Sequence, residues 1–125
     1  MTVQEAIDYV DKMRPNQFDT ETKVEWLSKL DGQIFREVVL THEGFLPHQE
    51  APRYVCDHME ARLLVPCPYD EEVYGYYLMA RIDKENAEFN RYNQDITMYN
   101  NAYLRFQNFY NRTHTPLPRH SQFRF

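Results

Sequence analysis

Apolar residues recur at helical spacing in four stretches of the chain, separated by stretches where the spacing is lost. In the first, Val3, Ile7 and Val10 lie three and four residues apart, behind a Thr2-x-x-Glu5 sequence that has the form of a capping box. This pattern predicts a helix over residues 3–13.

The second stretch predicts a helix over residues 20–42, with Thr22 as its N-cap and Gly44 beyond its end. One face of it is apolar and carries Trp26, Leu27, Leu30, Ile34 and Val38. Gly32 interrupts this pattern and weakens the helix by about 1 kcal/mol relative to alanine. A close packing contact or a slight bend is therefore expected at Gly32.

The second half of the chain predicts two more helices, over residues 70–86 and 90–112. Asp70 is the expected N-cap of the first of these, with acidic residues behind it. The second carries a heptad seam of apolar and aromatic residues: Phe89, Tyr92, Ile96, Tyr99, Tyr103, Phe106 and Tyr110. The seam could also prolong the preceding helix into one rod. Such a rod is unusual in a small domain, so a break is predicted between Asn86 and Asn93.

Together these patterns predict an all-α fold, a small bundle of about four helices with a long irregular central loop over residues 44–68. Residues 61–65 could form one short strand, whose partner would come from another copy of the chain. The predicted core centres on Trp26, Leu27, Leu30, Ile34, Leu78, Ile82, Ile96 and Tyr103. The seam of the last helix is expected to pack on the apolar face of the second. The helical domain covers residues 1–112, and residues 113–125 form an extended tail.

Charge and composition exclude several classes of protein. A net charge of −5 argues against a general nucleic-acid binder, which would present a basic surface. No apolar run is long enough to span a membrane. The two cysteines, Cys56 and Cys67, occur without a signal-peptide pattern, which predicts free thiols in a reducing cytosol.

Candidate catalytic and metal-binding motifs are weak. Cys56-x-His58 with Cys67 provides close ligand spacing on one side only, whereas structural zinc sites usually have it on both. A nucleophilic Cys56 or Cys67 with His42, His48 or His58 as its base would have to be assembled by the fold, and no local motif supports it. We therefore expect no enzyme activity, no cofactor and no metal.

The aromatic content indicates an interaction surface. Eighteen Phe and Tyr side chains are more than a chain of 125 residues easily buries, and aromatic residues are favoured at protein–protein interfaces. The tail is basic, with Pro116 and Pro118 preventing a continued helix. It is either a docking arm or a frayed end. The predicted interface residues are Tyr69, Tyr74, Phe109, Arg119, Phe123, Arg124 and Phe125.

Three segments carry a resemblance to a known family. They are RPNQFDTETKVEWLSKLDGQIFREVVLTHEG, LLVPCPYDEEVYGYYLMARID and RYNQDITMYNNAYLRFQNFYNRTHTPLPR, and they cover nearly the whole length. On these segments the chain resembles a family of small proteins encoded in the structural-gene block of Firmicutes phages and prophages, the head–tail connector (adaptor or head-completion) proteins.

The resemblance implies a mostly helical subunit that forms a ring beneath the portal and joins capsid to tail. Its implied partners are other copies of itself, the portal protein and the next tail-side connector component. The implied location is the host cytoplasm during assembly and then the head–tail junction of the virion. By position, the 44–68 loop and the tail would dock on the portal or a neighbour. The alternative is a small helical interaction protein outside the virion, such as a regulator or an assembly chaperone.

Overall fold

The computed structural model describes residues 1–41 and 51–114. They form four α-helices, α1 (Val3–Met13), α2 (Thr20–Glu37), α3 (Asp70–Glu85) and α4 (Phe89–Thr113), and two short 3-10 turns, Val39–Thr41 and Cys56–His58. Within these ranges no strand is formed, which confirms the predicted all-α bundle.

The first two helices begin at side-chain caps. At α1 the predicted capping box is present: Thr2 Oγ1 accepts from the Glu5 amide, and Glu5 accepts from the Thr2 amide. At α2 the prediction of Thr22 as N-cap is wrong. Asp19 occupies that position, and its Oδ1 accepts from the Thr22 amide at 2.9 Å.

Helix α2 ends at Glu37, earlier than the predicted 42. The β-branched pair Val38-Val39 is a poor continuation because branched side chains lose rotamer freedom in a helix. The Thr41 hydroxyl donates to the Val38 carbonyl at 2.8 Å, which satisfies one of the carbonyl oxygens left open at the helix end. Inside α2, a Cβ added to Gly32 would meet nothing within 4 Å, so the close contact expected there is absent.

The helices form layers with α3 in the middle. α3 packs against α1 and α2 on one side and against α4 on the other. Among the described helices, the backbone of α4 lies close to that of α3 alone, although the Tyr103 hydroxyl of the seam reaches α2 and donates to Glu37 at 3.3 Å. The seam therefore lies mainly against α3 and not, as expected, mainly against α2. Burial shows the same order, because α3 is buried on both sides and α4 on one.

Most of the predicted core is confirmed. Trp26, Leu27, Leu30, Ile34, Leu78 and Ile82 are buried. Ile96 and Tyr103 are only half-buried, so placing them at the centre of the core was wrong. Since α4 covers one side of α3, the α4 side chains that point directly at α3 are buried, and those at the edge of that contact are not. The buried ones are Asp95, Ala102 and Phe106.

The described part of the central loop is fixed to the body of the same chain. Arg62 forms an antiparallel bridge with Thr2, the Val3 amide donates to the Ala61 carbonyl at 3.0 Å, and the Leu63 amide donates to the Met1 carbonyl at 3.0 Å. The short extended segment therefore pairs within the chain, and not with another copy as predicted. The remainder of the predicted loop that precedes residue 51 lies outside the described residues.

The two ends of α3 are stabilised in different ways. Asp70 is the first helical residue and not the N-cap, and its Oδ2 pairs with the Met1 amine at 3.1 Å. The other end has the bonding of a Schellman motif, with the Glu88 amide donating to the Asp83 carbonyl and the Ala87 amide to the Lys84 carbonyl. Ala87 takes the left-handed backbone this motif requires, with φ of 58°. The predicted break between α3 and α4 is confirmed.

Candidate interaction surface

Of the seven predicted interface residues, two lie together on the surface of the bundle. The rings of Tyr69 and Phe109 are 5.0 Å apart, and both side chains are half-buried. They join the start of α3 to the end of α4. The four predicted interface residues that belong to the tail lie outside the described residues: Arg119, Phe123, Arg124 and Phe125.

Tyr74 is in the core, which corrects its placement at an interface. Its side chain is completely buried, and its hydroxyl donates to Asp31 Oδ1 at 2.6 Å. The Tyr74 hydroxyl oxygen also accepts from the Val65 amide at 2.8 Å. Tyr74 therefore holds the central loop against α2 and α3 and is inaccessible to another protein.

Asp31 is the centre of that buried cluster. Its carboxylate also accepts from the Tyr54 hydroxyl and from the Leu64 amide at 3.0 Å. Burial raises the pKa of Asp31, and the three donors on its oxygens oppose that effect. With an exposure of 0%, Asp31 has no route to a substrate, so its role is to anchor the loop. The sequence held one signal that Asp31 is buried: it lies between Leu27 and Ile34 on the apolar face of α2.

The inner side of α4 carries a row of aromatic rings. Tyr77 of α3 lies 5.6 Å from Tyr99, and the contacts continue through Tyr103, Phe106 and Tyr110 at 5.8, 6.3 and 5.8 Å between ring centroids. Burial raises the pKa values of Tyr99 and Tyr103. The row accounts for most of the seam: its rings stack along the inner side of α4, and Tyr99 contacts Tyr77 of α3.

A second cluster of charged groups connects α4 to the body. The Arg14 guanidinium, at the end of α1, donates to Asp83 of α3 and to Asp95 of α4, the latter at 2.6 Å. Burial, together with a hydrogen bond that the protonated Asp95 donates to the neighbouring Asp83, raises the pKa of Asp95 to about 7 against the opposing effect of Arg14. Sequence reasoning missed this cluster, although Asp95 stands on the seam side of α4, where a carboxylate needs a partner.

The outer side of α4 is exposed. Leu104 is 54% exposed and Met98 41%, and Phe89, at the start of the helix, is 61% exposed. The basic residues Arg91 and Arg105 lie at one edge of this side and pair with acidic neighbours, Arg105 with Glu72 at 2.9 Å. A helix of 25 residues with only three buried residues presents a long surface to other molecules.

An open groove of about 960 Å³ lies between α2 and the segment 51–57. Acidic residues of its lining, Glu21 and Glu25, belong to the first half of α2, and basic ones, Lys29 and Arg36, to the second half. The Ser28 hydroxyl of α2 accepts from the Tyr54 amide at 2.9 Å, and this hydrogen bond joins the two sides of the groove. The lining is of mixed charge and exposes polar and apolar surface in about equal parts, whereas a small-molecule site is predominantly apolar with a few convergent polar groups.

The cysteines are separate and exposed. Cys56 and Cys67 are free thiols. Among residues 1–41 and 51–114, no three His, Cys, Asp or Glu side chains are grouped as metal ligands. No helix in the same ranges is long and apolar enough to cross a membrane.

Comparison with known proteins returned no match among family models, curated proteins or solved structures.

Proposed function

We propose that the chain is a structural subunit of the head–tail connector of a tailed phage or prophage, which forms a ring beneath the portal and joins capsid to tail. The observation that supports this most directly is the placement of α4. One face of this 25-residue helix covers α3, and the other is exposed along its length. A subunit that contacts neighbouring copies, the portal and the next tail component needs such an open surface.

The end of α4 supports the same role. Tyr69 and Phe109 are half-buried beside the point where the tail leaves the helix. The tail brings two arginines and two phenylalanines to a chain whose net charge is −5. Basic and aromatic side chains on an acidic protein fit an arm that docks on the acidic surface of another copy or of the portal. In this role the protein is a building block of the particle and carries no catalytic residue.

The test uses the portal protein encoded by the same genome. The full chain and a version shortened to residues 1–114 are each incubated with assembled portal, and ring formation is followed by sedimentation and electron microscopy. The full chain is expected to form a ring on the portal. The shortened chain is expected to keep its helicity and melting temperature and to bind more weakly.

Two results would contradict the proposal. If the full chain does not bind the portal and is absent from finished particles, the protein is instead a small helical interaction protein outside the virion, a regulator or an assembly chaperone. If the shortened chain unfolds, the tail belongs to the core and is not an arm. A variant with Arg119→Gln and Arg124→Gln in the full chain separates the contribution of tail charge from that of the aromatic rings.

A further inference from the structure

The outer side of α4 is unusual in its chemistry. The chain contains eight asparagines, and six of them lie on α4, all exposed. At 3.6 residues per turn they share one side of the helix with one threonine and one leucine. These residues form what we term the amide face: Asn90, Asn93, Thr97, Asn100, Asn101, Leu104, Asn108 and Asn111.

Solvent alone does not account for this composition. Exposed helix positions are best filled by Lys, Glu, Gln or Ala, and asparagine is a poorer helix former than any of these. The amide face holds no Asp, Glu, Lys or Arg, in a chain in which 26% of residues are charged. A surface that sacrifices helix propensity and avoids charge along its whole length has the properties of a contact surface.

Its chemistry is complementary to itself. A side-chain amide has both donors and acceptors, so two identical amide faces can bond to each other without a charged partner. The chain carries −5 overall, and an uncharged strip is where two copies approach with the least repulsion. Arg105, at the edge of the strip, is already paired with Glu72 at 2.9 Å in the same copy.

The order of the residues along the face indicates how two copies would meet. The pattern is nearly symmetric about Leu104: Asn100 and Asn108 lie four residues on either side of it, and Thr97 and Asn111 seven residues. In an antiparallel helix pair related by a two-fold axis, each residue on one side of the centre meets its counterpart from the other side. Leu104, which is 54% exposed, would then meet itself at the axis.

We propose that the amide face of α4 binds the same face of a second copy, as an antiparallel two-fold pair centred on Leu104. Leu104 buries its side chain against its equivalent, and Asn100 bonds to Asn108 of the other copy on both sides. Polar residues in a helix seam fix register at a cost in affinity, so the pair is weak and reversible. A closed two-fold pair is distinct from a ring and has to open before this side of α4 can make the contacts of the ring, so this inference does not depend on the proposed function.

Disulfide trapping tests the pairing and its direction. The background is the full chain with Cys56→Ser and Cys67→Ser, both at exposed positions. Leu104→Cys is expected to form a covalent dimer on mild oxidation, because the two-fold axis brings the two thiols together. Thr97→Cys alone is expected to stay monomeric, since its counterpart in the other copy lies about 21 Å along the helix axis, too far for a disulfide. A mixture of the Thr97→Cys and Asn111→Cys proteins is expected to form a cross-linked heterodimer.

Each other outcome overturns the proposal. Cross-linking of Thr97→Cys by itself would show a parallel pair or random collision. Absence of the Leu104→Cys dimer across a series of protein concentrations would show that another molecule, or none, covers this face. Sedimentation of uncross-linked protein gives a second readout: Leu104→Glu is expected to abolish concentration-dependent dimers, and Gln94→Glu, which adds the same charge outside the face, is expected to leave them unchanged.

Discussion

Helices α2 and α4 are both amphipathic, yet they are held in the fold in different ways. α2 buries nine of its 18 residues, and α4 buries three of its 25. α2 lies in the body together with α1 and α3, whereas α4 lies on the outside, with its backbone close to that of α3 only. A hydrophobic seam thus shows which face a helix can bury, and the number of neighbouring helices determines how much of that face becomes core.

The buried carboxylates differ between the two regions in the same way. Asp31 of α2 is enclosed and accepts hydrogen bonds from two tyrosine hydroxyls and one backbone amide. Asp95 of α4 shares the guanidinium of Arg14 with Asp83 at the edge of the bundle. The inner cluster fixes a loop through neutral donors, and the outer cluster fixes a whole helix through charge, so only the second attachment is expected to depend strongly on pH near neutrality.

The largest effect is expected from truncating leucines in the two helices. Leu30→Ala should lower the free energy of unfolding by about 2–5 kcal/mol, because it leaves a cavity at a completely buried site. Leu104→Ala should change it by less than about 0.5 kcal/mol, because Leu104 is exposed. Urea unfolding at low protein concentration measures both. Equal losses would show that α4 is covered as deeply as α2.

Alanine substitutions at two glycines are expected to change the free energy of unfolding by smaller amounts and in opposite directions. A Cβ at Gly75 would lie 2.8 Å from a ring carbon of Tyr9, so Gly75→Ala should destabilise the α1–α3 contact by about 1–3 kcal/mol. Gly32→Ala adds a methyl group where nothing lies within 4 Å, and should stabilise α2 by about 0.5–1 kcal/mol. Thermal unfolding of the two variants compares them directly. A gain in stability from Gly75→Ala would contradict the close approach of α1 and α3.

A third expected effect is the pH dependence of the α4 attachment. The pKa of Asp95 is raised to about 7, so between about pH 4 and 7 the folded state holds a proton that the unfolded state has lost. The stability that comes from Asp95 is therefore fully present below pH about 4 and is lost as the pH rises towards 7. Asp95→Asn cannot lose this proton. Between pH 4 and 8 the free energy of unfolding of Asp95→Asn should therefore rise relative to that of the unmodified chain. If the two free energies change in parallel with pH, Asp95 does not have a raised pKa.

Local signals in the sequence predicted the helices well because each rests on interactions within a few residues. The capping box at Thr2 and the heptad spacing of α4 are of this kind. The end of α2 and the role of Tyr74 were not predictable in this way. Tyr74 shares its helix with other tyrosines that are only half-buried, Tyr76 and Tyr77, and its burial depends on where Asp31 and the central loop lie.

By itself the sequence determined four helices, an all-α bundle, six of the eight predicted core residues and an uncharged, asparagine-rich side of α4, since all of these follow from periodicity and composition. The order of the layers was decided only by the tertiary structure. A heptad seam of aromatic residues fits either α2 or α3 equally well, and the choice of α3 depends on a short connection at Ala87 and on Arg14 reaching both Asp83 and Asp95. Contacts between residues so distant in the chain leave no local pattern, so the exposure of the outer side of α4 became visible only once the helices were packed.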